Sequence, residues 1–323
     1  MREDQQFLEQ YKKSAEFEKI LQSINENLFI AETGLYKELP EERSTIHIIG
    51  CPRSGTTLLN QLIGSCVDVG YINNLIAVFW KTPVHGIVLS KKLIGINYSS
   101  DYASDFGKTT SIEEPHEFTY FWNYVLKYNK IGQLPAEHDN NIDWNNLRLI
   151  LTNMCNAFGT SIVFKSLFLG WHMQSVLKIL QKSLFLFVER NILDNAWSLL
   201  QIRKKYFGTY DEWASIKPLQ YEDLKKLNPY EQVIGQVYYL NQSYKQQLQN
   251  ISTNNFISIS YDELCSQPAK VLNNIVGRLE EFGVKQNIIK TPPAFFKNER
   301  KINKEELLHL TKAHEFILEN KFG

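Results

Sequence analysis

Residues 46–59 read Ile-His-Ile-Ile-Gly-Cys-Pro-Arg-Ser-Gly-Thr-Thr-Leu-Leu, and this stretch decides the fold. Its apolar, β-branched beginning predicts a buried strand over residues 45–50, and the pattern that follows predicts an amphipathic helix over residues 54–65. A tight loop between a strand and a helix directs backbone N–H groups and the positive end of the helix at one point, where a phosphate or sulfate binds. The sequence therefore predicts an anion-binding loop.

The spacing of Gly50 and Gly55 matches the P-loop of nucleotide-binding proteins. In those proteins a lysine follows the second glycine and holds the β- and γ-phosphates. Thr56 stands at that position here, and the cation of the loop, Arg53, comes earlier. The loop is therefore typical of a phosphate site but not of an ATP site.

The composition is that of an ordinary globular protein. Of 323 residues, 43% are hydrophobic and 22% are charged. Lys and Arg together number 35, as do Asp and Glu, and this balance argues against general nucleic-acid binding, which needs a basic surface. Residues 1–28 lack the apolar segment of a secretory signal, and no apolar run reaches the ~18 residues of a membrane span. We therefore expect a cytoplasmic protein without stable membrane insertion.

Predicted strands alternate with predicted helices along the chain. The strands are predicted over residues 45–50, 161–165, 183–189 and 256–260, and the main helices over residues 3–28, 54–65, 143–158, 172–182, 191–206, 229–249, 267–282 and 303–320. This order predicts an α/β fold, namely a P-loop-like, doubly wound parallel sheet flanked by helices in three layers. We expect one domain over residues 1–323, with residues 1–44 as a helical extension. Residues 76–112 show little periodicity, and residues 76–128 are predicted to form an acceptor-binding or lid insertion.

The segment Pro52-Arg53-Ser54-Gly55-Thr56-Thr57 resembles the 5′-phosphosulfate loop of the sulfotransferases. These enzymes use 3′-phosphoadenosine 5′-phosphosulfate (PAPS) and release 3′,5′-ADP (PAP). Many members have lysine where this chain has Arg53, and arginine there is similar to the branch that includes tyrosylprotein and bacterial sulfotransferases. The resemblance implies that residues of this loop hold the phosphosulfate: Pro52, Arg53, Ser54, Gly55, Thr56 and Thr57. It also implies that Arg53 stabilises the charge on the departing phosphate.

A second resemblance follows the predicted strand over residues 183–189. Arg190 comes directly after that strand and Ser198 lies eight residues later, which resembles the sulfotransferase 3′-phosphate signature. A guanidinium and a hydroxyl are donors that suit a phosphate dianion. An ATPase would have an aspartate for Mg²⁺ near this place. The pattern therefore favours a metal-free anionic cofactor, and the cysteines and histidines show no spacing typical of a metal site.

Three other cations are candidates through the same resemblance. Lys165 ends the predicted strand over residues 161–165, where relatives often have a lysine, and it should face the same crevice. Lys297 and Arg300 fall where relatives fold a basic C-terminal loop over the cofactor. For these two, a solvated charge run is the alternative interpretation.

The base for the acceptor is predicted from residues 113–117. In the tyrosylprotein branch a glutamate stands near the position that Asn73 holds here, and an amide cannot take a proton. Glu114 and His116 are the favoured candidates, since either group can serve as a base when its pKa is near neutrality. The alternative is that these acidic residues only stabilise the beginning of a helix.

The sequence thus favours a PAPS-dependent sulfotransferase that moves a sulfuryl group by in-line displacement to a hydroxyl or amine. The acceptor would belong to a small molecule, a glycan or a lipid. Two alternatives stay open: a P-loop small-molecule kinase with an altered loop, and a catalytically inactive nucleotide-binding protein of the same fold. The sequence does not name the acceptor, and it leaves a homodimer open.

Overall fold

The computed structural model describes residues 7–95, 98–298, 302–320 and 322. The strands are β1 (Thr45–Gly50), β2 (Gly70–Tyr71), β3 (Ile162–Lys165), β4 (Leu184–Glu189) and β5 (Phe256–Ser260). The helices are α1 (Ala15–Thr33), α2 (Thr56–Cys66), α3 (Asn74–Ala77), α4 (Pro83–Leu93), α5 (Thr119–Val125), α6 (Trp144–Phe158), α7 (Met173–Ile179), α8 (Ile192–Phe207), α9 (Tyr221–Leu224), α10 (Pro229–Leu248), α11 (Tyr261–Ser266), α12 (Pro268–Glu281) and α13 (Lys304–Glu319).

The strands form one sheet in the order β2-β3-β1-β4-β5, and every neighbouring pair is parallel. β1 lies at the centre and is buried along its whole length, as expected of a parallel strand that is covered on both faces. Because the strands are parallel, the carboxyl ends of β1, β3 and β4 meet at one edge. Ligands of open α/β sheets bind at this edge.

Each face of the sheet packs on its own hydrophobic core. Ile49 and Phe187 face a core that includes side chains of α5, α6, α8 and α10. Ile48 and Leu186 face the opposite core, which includes side chains of α2 and α12. Each fully buried side chain of this size contributes about 1.5–3 kcal/mol. The arrangement confirms the predicted three-layer α/β fold with a doubly wound parallel sheet.

Several predicted boundaries were wrong. The first helix was predicted over residues 3–28, but α1 begins after Ser14, whose hydroxyl accepts a hydrogen bond from the Phe17 amide at 3.3 Å. The insertion is less irregular than predicted, because Pro83 begins α4 within it. The acidic residues of the segment 113–117 do not lie in the first turn of a helix, because α5 begins only at Thr119. No helix in the described ranges is both long and apolar enough to span a lipid bilayer.

Candidate active site

The loop between β1 and α2 is held in a conformation that needs its glycines. Gly50 and Gly55 have φ values of 146° and 110°, and Arg53 has a φ of 73°. A Cβ atom on Gly50 would lie 2.5 Å from the Val188 carbonyl oxygen, and one on Gly55 would lie 2.5 Å from the Tyr261 ring. Successive backbone turns of this kind before a helix form a concave site for an anion.

The carboxyl end of β4 brings a second set of donors to this loop. Arg53 Nε donates to Ser198 Oγ at 3.1 Å, and Arg190 Nη1 donates to the Arg53 carbonyl oxygen at 3.3 Å. Asn195 Nδ2 donates to the Pro52 carbonyl oxygen at 2.7 Å. The structure therefore brings Arg53 together with Arg190 and Ser198, which lie 137 and 145 residues later in the sequence. Asn195 fixes the loop to α8, and the sequence analysis had not singled it out.

The two arginines make this a strongly cationic place. Burial, and then the nearby positive charge of Arg190, lower the pKa of Arg53 to about 10. The guanidinium stays charged at neutral pH, so an anion that binds here gains from both cations. The buried Ser54 hydroxyl has no hydrogen-bond partner among the residues that the structure describes. A buried polar group without a partner is costly, and an anionic oxygen would satisfy it.

Lys165 ends β3 beside the loop. Its Nζ donates to Thr57 Oγ1 at 2.7 Å, and it forms an ion pair with Glu117. A Cβ atom built on Gly107 would lie 3.0 Å from Arg53 Nη1, 3.2 Å from Thr57 Oγ1 and 3.8 Å from Lys165 Nζ. These three donors therefore surround a single point. The structure thus joins Lys165 to the predicted loop residues.

A turn of the insertion, residues 105–108, covers this point. Phe106 and Gly107 both have positive φ values, 48° and 87°. The Phe106 ring centre lies 5.4 Å from Arg53 Cζ, and the Gly107 carbonyl accepts a hydrogen bond from Thr57 Oγ1 at 3.4 Å. Asp105 pairs with Lys205 of α8. Part of the predicted insertion therefore lies directly on the anion site.

The two favoured base candidates are engaged in hydrogen bonds. The buried carboxylate of Glu114 accepts from Tyr98 Oη at 2.6 Å, Gln61 Nε2 at 3.0 Å and Ser100 Oγ at 3.3 Å. His116 Nδ1 accepts from the Phe118 amide at 2.8 Å. Burial lowers the pKa of His116 below its usual value.

Of the two C-terminal cations, Lys297 lies within the described residues. Lys297 is exposed in the loop after α12, and Arg300 lies outside the described residues. Tyr261 contacts both donor sets instead, since its ring packs on Gly55 and lies 4.4 Å from Arg190 Cζ. In the described ranges, no group of three His, Cys, Asp or Glu residues could hold a metal ion.

A comparison of the sequence with family profiles identifies the family of this chain. A sequence profile described as "Sulfotransferase family" matches residues 45–281, which is more than half of the chain. No curated protein sequence matches significantly. Among solved structures, this chain is similar to sulfotransferase STF9 from Mycobacterium avium, with 13% sequence identity and a TM-score of 0.48. The alignment covers 94% of this chain and 74% of the STF9 chain. It is also similar to sulfotransferase STF1 from Mycobacterium tuberculosis H37Rv, with 10% sequence identity and a TM-score of 0.46. That alignment covers 93% of this chain and 80% of the STF1 chain.

Proposed function

We propose that this chain, which belongs to the sulfotransferase family, transfers a sulfuryl group from PAPS to a hydroxyl or amine of a small molecule, a glycan or a lipid. One observation carries the proposal: Arg53 donates to Ser198 while Arg190 donates to Arg53. The loop cation and the second donor pair thus lie side by side. A ligand with phosphate groups at both ends of one nucleoside suits such a double site.

The donors divide between the two ends of the cofactor. Arg53, Ser54, Gly55, Thr56 and Thr57 would hold the 5′-phosphosulfate, with Pro52 shaping the loop. Arg190 and Ser198 would hold the 3′-phosphate. The fit rests on the unpartnered Ser54 hydroxyl and on the adjacent arginine pair, because both gain when an anion binds.

Sulfuryl transfer requires the protein to stabilise the negative charge that develops on the leaving phosphate. Arg53 and Lys165 lie next to the same point as Thr57, so both cations can act on the bridging oxygen as its bond to sulfur breaks. A donor placed in this way is typically worth about 10²–10³-fold in rate. When bound, PAPS supplies the activated sulfuryl group, and the protein supplies position and positive charge.

The kinase alternative is less well supported by the residue types at the site. Thr56 stands where a P-loop kinase has its lysine, and Arg190 stands where it would have an aspartate for Mg²⁺. An inactive binding protein would keep the anion site but lack transfer. We retain it as an outcome of the test.

Thermal shift and transfer assays test the proposal. PAP should raise the melting temperature more than Mg-ATP, and ³⁵S should pass from labelled PAPS to a member of a broad acceptor panel. Arg53→Ala should abolish this transfer. Stabilisation by Mg-ATP alone would favour the kinase. Binding of PAP without transfer to any acceptor would identify an inactive binding protein.

A further inference from the structure

We propose that Glu117 is the catalytic base that takes the proton from the acceptor, an inference that rests on the proposed sulfuryl transfer. Its carboxylate forms an ion pair with Lys165, and Lys165 Nζ donates to Thr57 Oγ1 at 2.7 Å. Glu117 therefore directly contacts one of the donors that surround the anion site. A base must lie beside the reacting group, and this carboxylate lies beside Lys165, one of the donors at the anion site.

Hydrogen bonds to Glu114 and His116 make these two groups less suitable as the base than Glu117. Glu114 accepts three hydrogen bonds and is buried, so both of its oxygens are committed. His116 Nδ1 accepts from the Phe118 amide, which requires a lone pair on Nδ1. A neutral imidazole with that nitrogen engaged has only an N–H at Nε2. It can donate there, but it has no free lone pair to take a proton.

Glu117 has the access to solvent that the buried Glu114 lacks. Its side chain is 44% exposed, whereas that of Lys165 is 5% exposed. An acceptor can therefore reach the carboxylate from solvent while the ammonium stays on the anion site. The bond between His116 and the Phe118 amide spans Glu117, and Phe118 has a left-handed φ of 55°. These contacts fix the backbone on both sides of the carboxylate.

In the proposed transfer, one bond forms, one bond breaks and one proton moves. The acceptor oxygen forms a bond to sulfur while Glu117 removes its proton. The bond between sulfur and the 5′-phosphate oxygen breaks, and its electron pair leaves with that oxygen, next to Arg53 and Lys165. Glu117 is then protonated, and its exposure lets it release the proton to solvent. No oxidant, reductant or metal takes part.

Two acceptors of different acidity distinguish a base from a residue that only holds Lys165. At pH 8 phenol keeps its proton, whereas 4-nitrophenol is largely ionised and needs no base. Glu117→Gln should lower ³⁵S transfer to phenol by about 10²–10⁴-fold and leave transfer to 4-nitrophenol nearly unchanged. Hydrolysis of PAPS, in which water is the acceptor, should fall as transfer to phenol does. Glu137→Gln, which changes an exposed carboxylate outside residues 113–117, is the matched control and should be as active as the wild type.

Each other outcome is decisive as well. An equal loss with both phenols would show that Glu117 only positions Lys165, and an unchanged rate with phenol or water would also overturn the proposal. Calorimetric titration with PAP confirms that the variant is folded and keeps its anion site. If the wild type neither hydrolyses PAPS nor transfers to any member of the broad acceptor panel, the proposed function fails, and this result differs from a wild type that is active beside an equally active variant.

Discussion

Replacing Arg53 by methionine should make the ligand-free protein more stable while it removes PAP binding. Burial, together with the charge of Arg190, lowers the pKa of Arg53 from 12.5 to about 10. At neutral pH the guanidinium is charged in both the folded and the unfolded chain, because the pH lies below both values. The full free-energy cost of the buried Arg53 charge therefore applies at neutral pH. It amounts to about 3 kcal/mol, at ~1.4 kcal/mol for each pKa unit.

The variant also loses a favourable contact. The hydrogen bond from Arg53 Nε to Ser198 is worth about 1 kcal/mol. The net expectation for Arg53→Met is thus a gain of about 2 kcal/mol in the free energy of unfolding. For a chain of this size that raises the melting temperature by about 4 °C. Stability is exchanged here for function, as is common at charged active sites.

Scanning calorimetry with and without PAP measures both effects. PAP at 100 times its Kd should stabilise the wild type by about 2.7 kcal/mol and should leave Arg53→Met unchanged. Arg43→Met is the control. Arg43 Nη1 lies 3.9 Å from a carboxylate of Glu42 at the surface, and such pairs are worth about 0–1 kcal/mol. A less stable Arg53→Met protein, or one that PAP stabilises as it does the wild type, would refute the reasoning.

Two further predictions concern the supports of the site, and a third concerns an ion pair elsewhere in the fold. Gly107→Ala should weaken PAP binding in calorimetric titration, because its Cβ would lie 3.0 Å from Arg53 Nη1; Gly159→Ala, at a similar φ with open space around it, should bind PAP normally. Asn195→Ala should lower the free energy of urea unfolding by about 1–3 kcal/mol and weaken PAP binding, since a loop carbonyl loses its donor; PAP binding at wild-type strength would contradict this. Burial raises the pKa of Asp139, but hydrogen bonds from a buried histidine and a serine outweigh it, so the pKa is lowered overall. Asp139→Asn should therefore destabilise the protein above pH ~4, and the difference from the wild type should shrink as pH falls through the lowered pKa; a constant difference would argue against it.

The fold could be predicted because its signals are local. The apolar runs of β1 and β4 and the glycines of the loop each have a direct physical meaning in the sequence. The meeting of Arg53 with Arg190 and Ser198 could also be predicted, since β1 and β4 are neighbouring parallel strands. The roles of these residues, and the organisation of the chain as one domain, stay predictions.

The rest of the site depends on contacts that no local pattern encodes. Gly107 belongs to the segment without periodicity and Glu117 follows that segment, and only tertiary packing brings them to Thr57 and Lys165. The two-residue β2 is too short to give a strand signal. Hydrogen bonds to the Glu114 carboxylate come from Gln61, Tyr98 and Ser100, which all precede it in the sequence at separations that no local pattern connects.

The central claim is that one ligand binds both donor sets, and a calorimetric cycle tests it directly. PAP and AMP differ by the 3′-phosphate, so their affinities should be measured for the wild type and for Arg190→Gln. The account predicts that the wild type binds PAP far more tightly than AMP, and that the variant loses this preference while its affinity for AMP is unchanged. An equal loss for both nucleotides, or an undiminished preference for PAP, would contradict it.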